Sequence, residues 1–521
     1  MKSISLVASM AVVLGVGVAG ACSSKDKAAD AAGGSVGTAG NGNAGSPEST
    51  GGTAATPGTN GGQAGTTTGG TPSETAGAGG ASGNLPRAPE PILCPEKNAI
   101  SPKNKNSVAV QGVVLMEDEH WTSDKVYLIG DDFKVENHTL TVDPGTVICL
   151  YNDAQLIVGE GIDPGEIHLD GTPDKHITIT AVPSADDATK PDSFIRGLKM
   201  DTFMKSTLSY VDIWYSGPGG GRGAWAFELD DTAQGTKKTD ALLVDHLYIG
   251  QVQSKGFRVG TPNGLAKGSA IRFTGYAEHA AGDPDLDYAA GVNFYAAMSV
   301  NDALTYDKAN IPAASQAVHV ETAAPPIYLE HDVELPDIGL PYWYTDMNLI
   351  LSGPDDGTKA TLTLDPGVTL HVTGQLRVGD KHEGNLVAVG SAEKPVVITS
   401  AQATPASGDW EGIAFLGSFF DPKVSTIDHA QILYAGMDVL DSSLHVGRCG
   451  DDFSGAVEIF GEGSYEGPTI SNTLIAHSLS NGLVAEASNT NTTLATDYSK
   501  AALKVTFDDI ALEKLVVDAC P

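Results

Sequence analysis

From about residue 110 onward the chain alternates between apolar and polar positions. Leu140 and Val142 interleave with Thr139 and Thr141; Val368, Leu370 and Val372 interleave with Thr369 and His371; Leu376 and Val378 flank Arg377. A period of two sends successive side chains to opposite faces of an extended strand, so each run predicts a short strand with one apolar face. Asp143-Pro144-Gly145 and Asp365-Pro366-Gly367 close two of these runs. Proline presets the first turn position and glycine accepts the positive φ of the second, as a type II turn requires. No helical stretch long enough for a βαβ crossover intervenes, and two-residue Asn-Gly or Asp-Gly hairpin links are few. Short strands joined by corners into a coil fit this pattern better than a sandwich.

The pattern is also duplicated. Thr139-Leu140-Thr141-Val142-Asp143-Pro144-Gly145 returns as Thr361-Leu362-Thr363-Leu364-Asp365-Pro366-Gly367. Gly171 to Thr180 is echoed by Gly390 to Thr399, and Ser206 to Gly217 by Ser425 to Gly436, at an offset of 219 to 222 residues. Aligning the copies sets Cys149 against His371, an outward position, since Ile148 matches the inward Leu370. Self-similarity held over that length is the mark of a stacked-repeat architecture.

The runs LTLDPGVTLHV, QLRVG, NLVAVGSAEKPVVITSA, DWEGIAF and STIDHAQILYAG resemble bacterial surface proteins with right-handed parallel β-helix repeats, of the pectin-lyase-like group. The resemblance covers about 110 to 250 and 327 to 485 and is faint between 260 and 320, where Asp283 to Asp302 reads as an insertion or a short helix. It implies an all-β, right-handed parallel β-helix (a solenoid) built from a duplicated unit. At about 25 residues per coil the folded part would hold on the order of 15 coils. Ile470 to Gly482, with Asn472 and Asn481, fits late coils in which stacked asparagines satisfy backbone groups at a corner.

The N-terminus is different in kind. Lys2 precedes an apolar run from Leu6 to Val18, too short to span a bilayer comfortably, which reads as a signal peptide over 1–21. Ala19-Gly20-Ala21-Cys22 resembles a lipobox, which implies lipidation at Cys22 and a membrane partner through that anchor. Ser23 after it resembles the sorting signal for the outer membrane. The alternative is an ordinary secretory signal cut near Ala21, leaving Cys22 free. Residues 22–88 are then a lipidated cysteine and a disordered Gly/Thr/Ala-rich linker, since such a composition buries too little apolar surface to offset its ordering entropy. As a coil it would span about 45 Å. The remaining boundaries are 89–325 for the first half of the solenoid with an N-terminal cap and 326–521 for the second half with a C-terminal cap.

A formal charge of −34 argues against nucleic acid and against anionic lipid surfaces, both of which need basic patches. Four cysteines besides Cys22 in an exported chain point to two disulfides. Of the three pairings, Cys94–Cys149 and Cys449–Cys520 each join a terminus to the nearest cysteine of the body.

Candidate chemistry is sparse. Asp245-His246 and Asp428-His429 look like acid–base pairs, but neighbours on a strand point to opposite faces, so neither dipeptide forms a dyad by itself. Arg196, Lys199 and Asp201 read as a solvated face, and the doublets Asp131-Asp132, Asp230-Asp231, Asp355-Asp356 and Asp451-Asp452 as solvated corners. Asp283, Asp285 and Asp287 alternate like the start of a calcium loop; Tyr288 and Phe294 exclude an EF-hand, leaving looser calcium binding as the one metal option. Trp214, between inward Ile213 and Tyr215, and Trp225 are candidates for a face that stacks on sugar rings, against packing beneath a long loop. No catalytic residue is assigned, and no cofactor other than that possible calcium. These readings favour a cell-surface, lipid-anchored, non-catalytic module that adheres to surface or matrix polysaccharide or protein. The alternatives are a polysaccharide-active lyase or hydrolase of the same fold and a structural envelope spacer.

Overall fold

The computed structural model describes the chain from residue 88 to 518, except 96–105, 218–224, 231–241, 278–289, 294–302, 312–315, 322–326, 438–453, 488–492, 499–503 and scattered single positions. Its described elements are 38 strands, and the ladders that join them are parallel. A thirteen-stranded sheet runs from Phe133–Val135 to Thr506–Ile510. An eleven-stranded sheet flanks its first part, from Ser107–Ala109 to Leu304–Tyr306. A seven-stranded sheet (Ile327–Leu329 to Leu515–Asp518) and a five-stranded one (Val333–Leu335 to Thr469–Ser471) flank the second. The protein is a right-handed parallel β-helix.

Alternation builds the core directly. One inward column of the long sheet runs in register through Phe133, Leu156, Leu198, Phe227, Phe257 and Ala290. It continues through Val318, Tyr342, Leu370, Ile398, Ile432, Ile475 and Phe507. All but Phe507 are buried. No coil can bury its own inner face; each such side chain is covered only when the next coil stacks, at roughly 1.5–3 kcal/mol apiece. Tyr342 fits because its hydroxyl donates to the Pro336 carbonyl at 2.9 Å.

Both Asp-Pro-Gly turns form as expected. Thr146 N–H donates to Asp143 O at 3.2 Å and Val368 N–H to Asp365 O at 3.1 Å, with Gly145 and Gly367 at φ 89° and 97°. The coils are longer than 25 residues, because corners carry loops. From Leu349 the in-register partners are Leu376, Ile413 and Val457, separations of 27, 37 and 44 residues. The long sheet therefore counts thirteen coils, not fifteen. Ala290–Asn293, within the stretch read as an insertion or helix, is a strand of that sheet. Asparagines do serve corners: buried Asn481 donates to Ser454 O at 2.9 Å and accepts from Glu513 N–H at 3.0 Å.

The copies do not stack face on face. Gln155–Val158 lies in the thirteen-stranded sheet, whereas its counterpart Gln375–Val378 lies in the seven-stranded one. Val147–Leu150 lies in the eleven-stranded sheet and its counterpart Thr369–Val372 in the thirteen-stranded one. Val318–Glu321 makes the join, pairing Ala290–Asn293 on one side and Tyr342–Tyr344 on the other. The second copy is thus turned by one face, about a third of a turn, relative to the first.

Candidate functional site

The eleven-stranded sheet is bent. Thr207–Trp214 pairs its first three residues with Glu166–Asp170 and residues 211–213 with Ile177–Ala181. The bend falls at Tyr210, whose φ is 46°, and recurs one coil on at His246, φ 60°. A left-handed residue costs a non-glycine side chain of order 1 kcal/mol, and it breaks the strict alternation of faces. This overturns the expectation that an Asp-His dipeptide cannot close on itself: His246 Nδ1 lies 2.5 Å from Asp245 Oδ1, and His429 Nδ1 lies 3.0 Å from Asp428 Oδ2.

Beside this bend, Thr178, Asp212, Tyr248 and Arg272 form one outward column. His176 Nδ1 meets Asp212 Oδ1 at 2.8 Å, and the His176 ring stacks on Tyr248 with centroids 5.4 Å apart. Tyr210 in turn stacks on His246 at 4.4 Å. Asp212 is 3% exposed and Tyr248 1%. Burial pushes the Asp212 carboxyl up to about 6, partly offset by the bond from His176, and burial likewise raises the Tyr248 hydroxyl. Perturbed groups gathered like this are what an acid–base site needs, but these are sealed, and a substrate atom cannot come within hydrogen-bonding reach of the carboxylate. The arrangement acts as a polar staple between coils. The sequence did not single it out, since Asp212 and Tyr248 sit in runs that read simply as strand.

At the other edge of the same face the surface opens. A hollow of ≈ 710 Å³ lies between the strap Ala88–Pro91 and the residues Gln251, Arg272, Tyr306 and Asn310. Arg272 pairs with Asp307 at 2.6 Å, and the Tyr306 hydroxyl donates to Gly339 O at 2.8 Å. The strap is pinned at its far end. A disulfide joins Cys94 to Cys149, Cys94 N–H donates to Ala181 O at 2.9 Å, and the Thr180 hydroxyl donates to Ile92 O at 2.6 Å. Cys149 is outside the main core, packed with Leu128 and Val182 beneath that strap.

Trp214 and Trp225 are not a sugar-stacking face. Trp214 does point away from the core residue Ile213, but it is 1% exposed. Its ring lies over Gly250 on the next coil, where an added Cβ would come within 2.7 Å. Trp225 is 5% exposed, with the Lys255 ammonium 4.9 Å above its ring. The Arg196 guanidinium bonds Asp132 and, at 2.7 Å, the Asp153 carbonyl; Lys199 lies 3.9 Å from Asp201. Lys199, Glu228 and Arg258 continue in register as an ion-paired stripe, and burial raises the Glu228 carboxyl. Cys22, Cys449, Cys520, Asp283, Asp285 and Asp287 lie outside the described residues. Among the described residues no group of three or more His, Cys, Asp or Glu is placed to hold a metal ion.

With this geometry in hand, the comparisons fit the architecture. Residues 355–457 match the family described as the pectate-lyase-like beta helix domain, so the chain is similar to that class across the coils where its own alternation is most regular. No curated protein and no solved structure matches the chain.

Proposed function

We propose that the protein is a surface-displayed β-helix module, anchored through Cys22 and held off the membrane by the 22–88 linker, that binds polysaccharide without cleaving it. The observation that carries this reading is the division of the outer face. Its acid–base groups are sealed, whereas the hollow beside Arg272 is open. That hollow sets a guanidinium–carboxylate pair, two side-chain amides and a tyrosine ring edge around a volume of ≈ 710 Å³, within the roughly 300–1,000 Å³ usual for ligand sites. Such a mixture of planar and polar groups suits hydroxyl-rich rings. The charge of −34 disfavours nucleic acid as the ligand.

The test incubates the purified full chain with a panel of neutral and acidic polysaccharides, with and without calcium, and follows retention and new chain ends together. The expected result is retention without new ends, lost by about tenfold in an Arg272→Gln, Asn310→Ala double variant. Chain ends that disappear on substituting a single side chain overturn the non-catalytic reading; no retention on any polysaccharide overturns the ligand class.

A further inference from the structure

The two copies place left-handed corners at matching positions: Tyr210 and His429, Tyr215 and Tyr434, His246 and Asn472, Gln251 and His477, with φ between 45° and 63°. Each strand of the repeated face therefore has two corners, and the copies occupy them reciprocally. In the first copy the leading corner is filled by its own rings, His176, Tyr210 and His246, over buried Asp212 and Tyr248. The trailing corner, at Gln251 and Gly275, opens into the hollow described above. In the second copy the trailing corner is the filled one. Tyr434 stacks on His477 at 4.7 Å, and His477 bonds Asp509 at 2.7 Å.

The leading corner of the second copy is accordingly open. Pro395 stands for His176, Asn472 for His246, Gln431 for Asp212, Leu474 for Tyr248 and Thr506 for Arg272. The smaller set leaves a hollow of ≈ 300 Å³ lined by His429, Gln431, Asn472, Lys504 and Thr506. Its one carboxylate, Asp428, is already engaged: Ser471 donates to it at 2.7 Å, Asn472 at 2.9 Å, and His429 lies at 3.0 Å. Burial alone would raise Asp428, but these bonds hold it below the ordinary range. Lys504 is exposed and makes no ion pair among the described residues, and Gln431 makes no side-chain hydrogen bond there. The wall thus has donors to spare, and its acceptor is satisfied.

We infer that this second hollow binds a ring bearing a carboxylate, the ring taking the place that Tyr210 and His176 fill in the first copy and the carboxylate meeting Lys504 and Gln431. The flat His429 imidazole offers a stacking surface for either a saccharide or an aromatic ring, and a charge-assisted bond from an ammonium is about twice as strong as a neutral one. The site stands apart from the Arg272 hollow and does not depend on what that hollow binds.

Ligand-observed saturation-transfer NMR on the full chain tests it, with D-glucuronate, benzoate and D-glucose as probes. Transfer to glucuronate marks a saccharide carboxylate as the occupant and transfer to benzoate an aromatic one. Either signal should fall at least about threefold in Lys504→Asn, which keeps a residue tolerant of the left-handed corner, and stay unchanged in Arg272→Gln. Gln431→Ala serves as a second variant, with circular dichroism confirming the fold of each. Transfer to glucose equal to that of both carboxylates, no transfer to either carboxylate, or full signal in Lys504→Asn overturns the inference.

Discussion

Replacing Asp212 with asparagine should stabilise the protein at neutral pH. The wild-type carboxyl is 3% exposed and titrates near 6 when folded, against 3.8 ordinarily. A folded-state value raised above the unfolded one means that the native protein holds the proton more tightly. The stability this contributes is complete below pH 3.8 and is lost as pH climbs through 6. A shift of about two units corresponds to roughly 3 kcal/mol. Asparagine keeps an oxygen for His176 Nδ1, so the 2.8 Å contact can persist without a buried charge. The expected gain is about 2–3 kcal/mol at pH 7.5, shrinking toward zero at pH 3.5. Urea unfolding followed by circular dichroism at three pH values, wild type against Asp212→Asn, reads it as a difference in which all other carboxylates cancel. A loss of stability at pH 7.5, or an equal gain at every pH, would refute the account of Asp212 as a charge held by burial.

Three further outcomes follow from the same coordinates. Cys149→Ser removes the latch on the strap; it should cost about 2–4 kcal/mol and expose residues 88–95 to protease, whereas an unchanged digestion pattern would show that the Ala181 and Thr180 bonds hold the strap alone. Glu334→Gln should add about 1 kcal/mol at pH 7, discounted for partial exposure, because burial and the adjacent Glu334 carboxylate push Asp365 up to about 6; the gain should vanish below pH 4, a pH trend that thermal melts would resolve. Leu370→Ala, between Tyr342 and Ile398 in the inner column, should cost about 2–5 kcal/mol by chemical denaturation, and a cost under 1 kcal/mol would mean that the neighbouring coils collapse onto the gap.

Period-two alternation made the inner faces legible: Leu140, Val142, Leu370 and Val372 point inward as read, and the Asp-Pro-Gly turns have the hydrogen bond and glycine φ that their residues demand. What alternation cannot supply is cover. Trp214 is outward by parity, yet outward does not mean exposed when Gly250 on the next coil lets the ring lie down. Corners were illegible for another reason. Tyr210, His246 and His429 adopt a conformation that favours glycine, so nothing in their identities announces a bend, and the parity argument against Asp-His pairs failed there. The one-face slip between copies was equally hidden. An offset of 219 to 222 residues does not count turns when coils range from 27 to 44 residues.

That slip and the corners together explain how a duplicated chain presents two dissimilar surfaces. The backbone at each corner is the same in both copies, since matched residues share left-handed φ values. The hydrogen-bonded ladders do not depend on side chains that point outward, so rings at the corners can be gained or lost without altering the coil. Where rings stack, as in Tyr210–His246 and Tyr434–His477, they close the corner and tie successive coils. Where Gln251 and Asn472 stand instead, the same corner becomes a hollow. Because the second copy is turned by one face, the sheet that bears the first hollow is not the sheet that bears the second. A ligand reaching both would have to wind around the solenoid, and two separate ligands would meet no steric conflict. The geometry therefore favours independent occupancy, and saturation of either hollow should leave the affinity of the other unchanged.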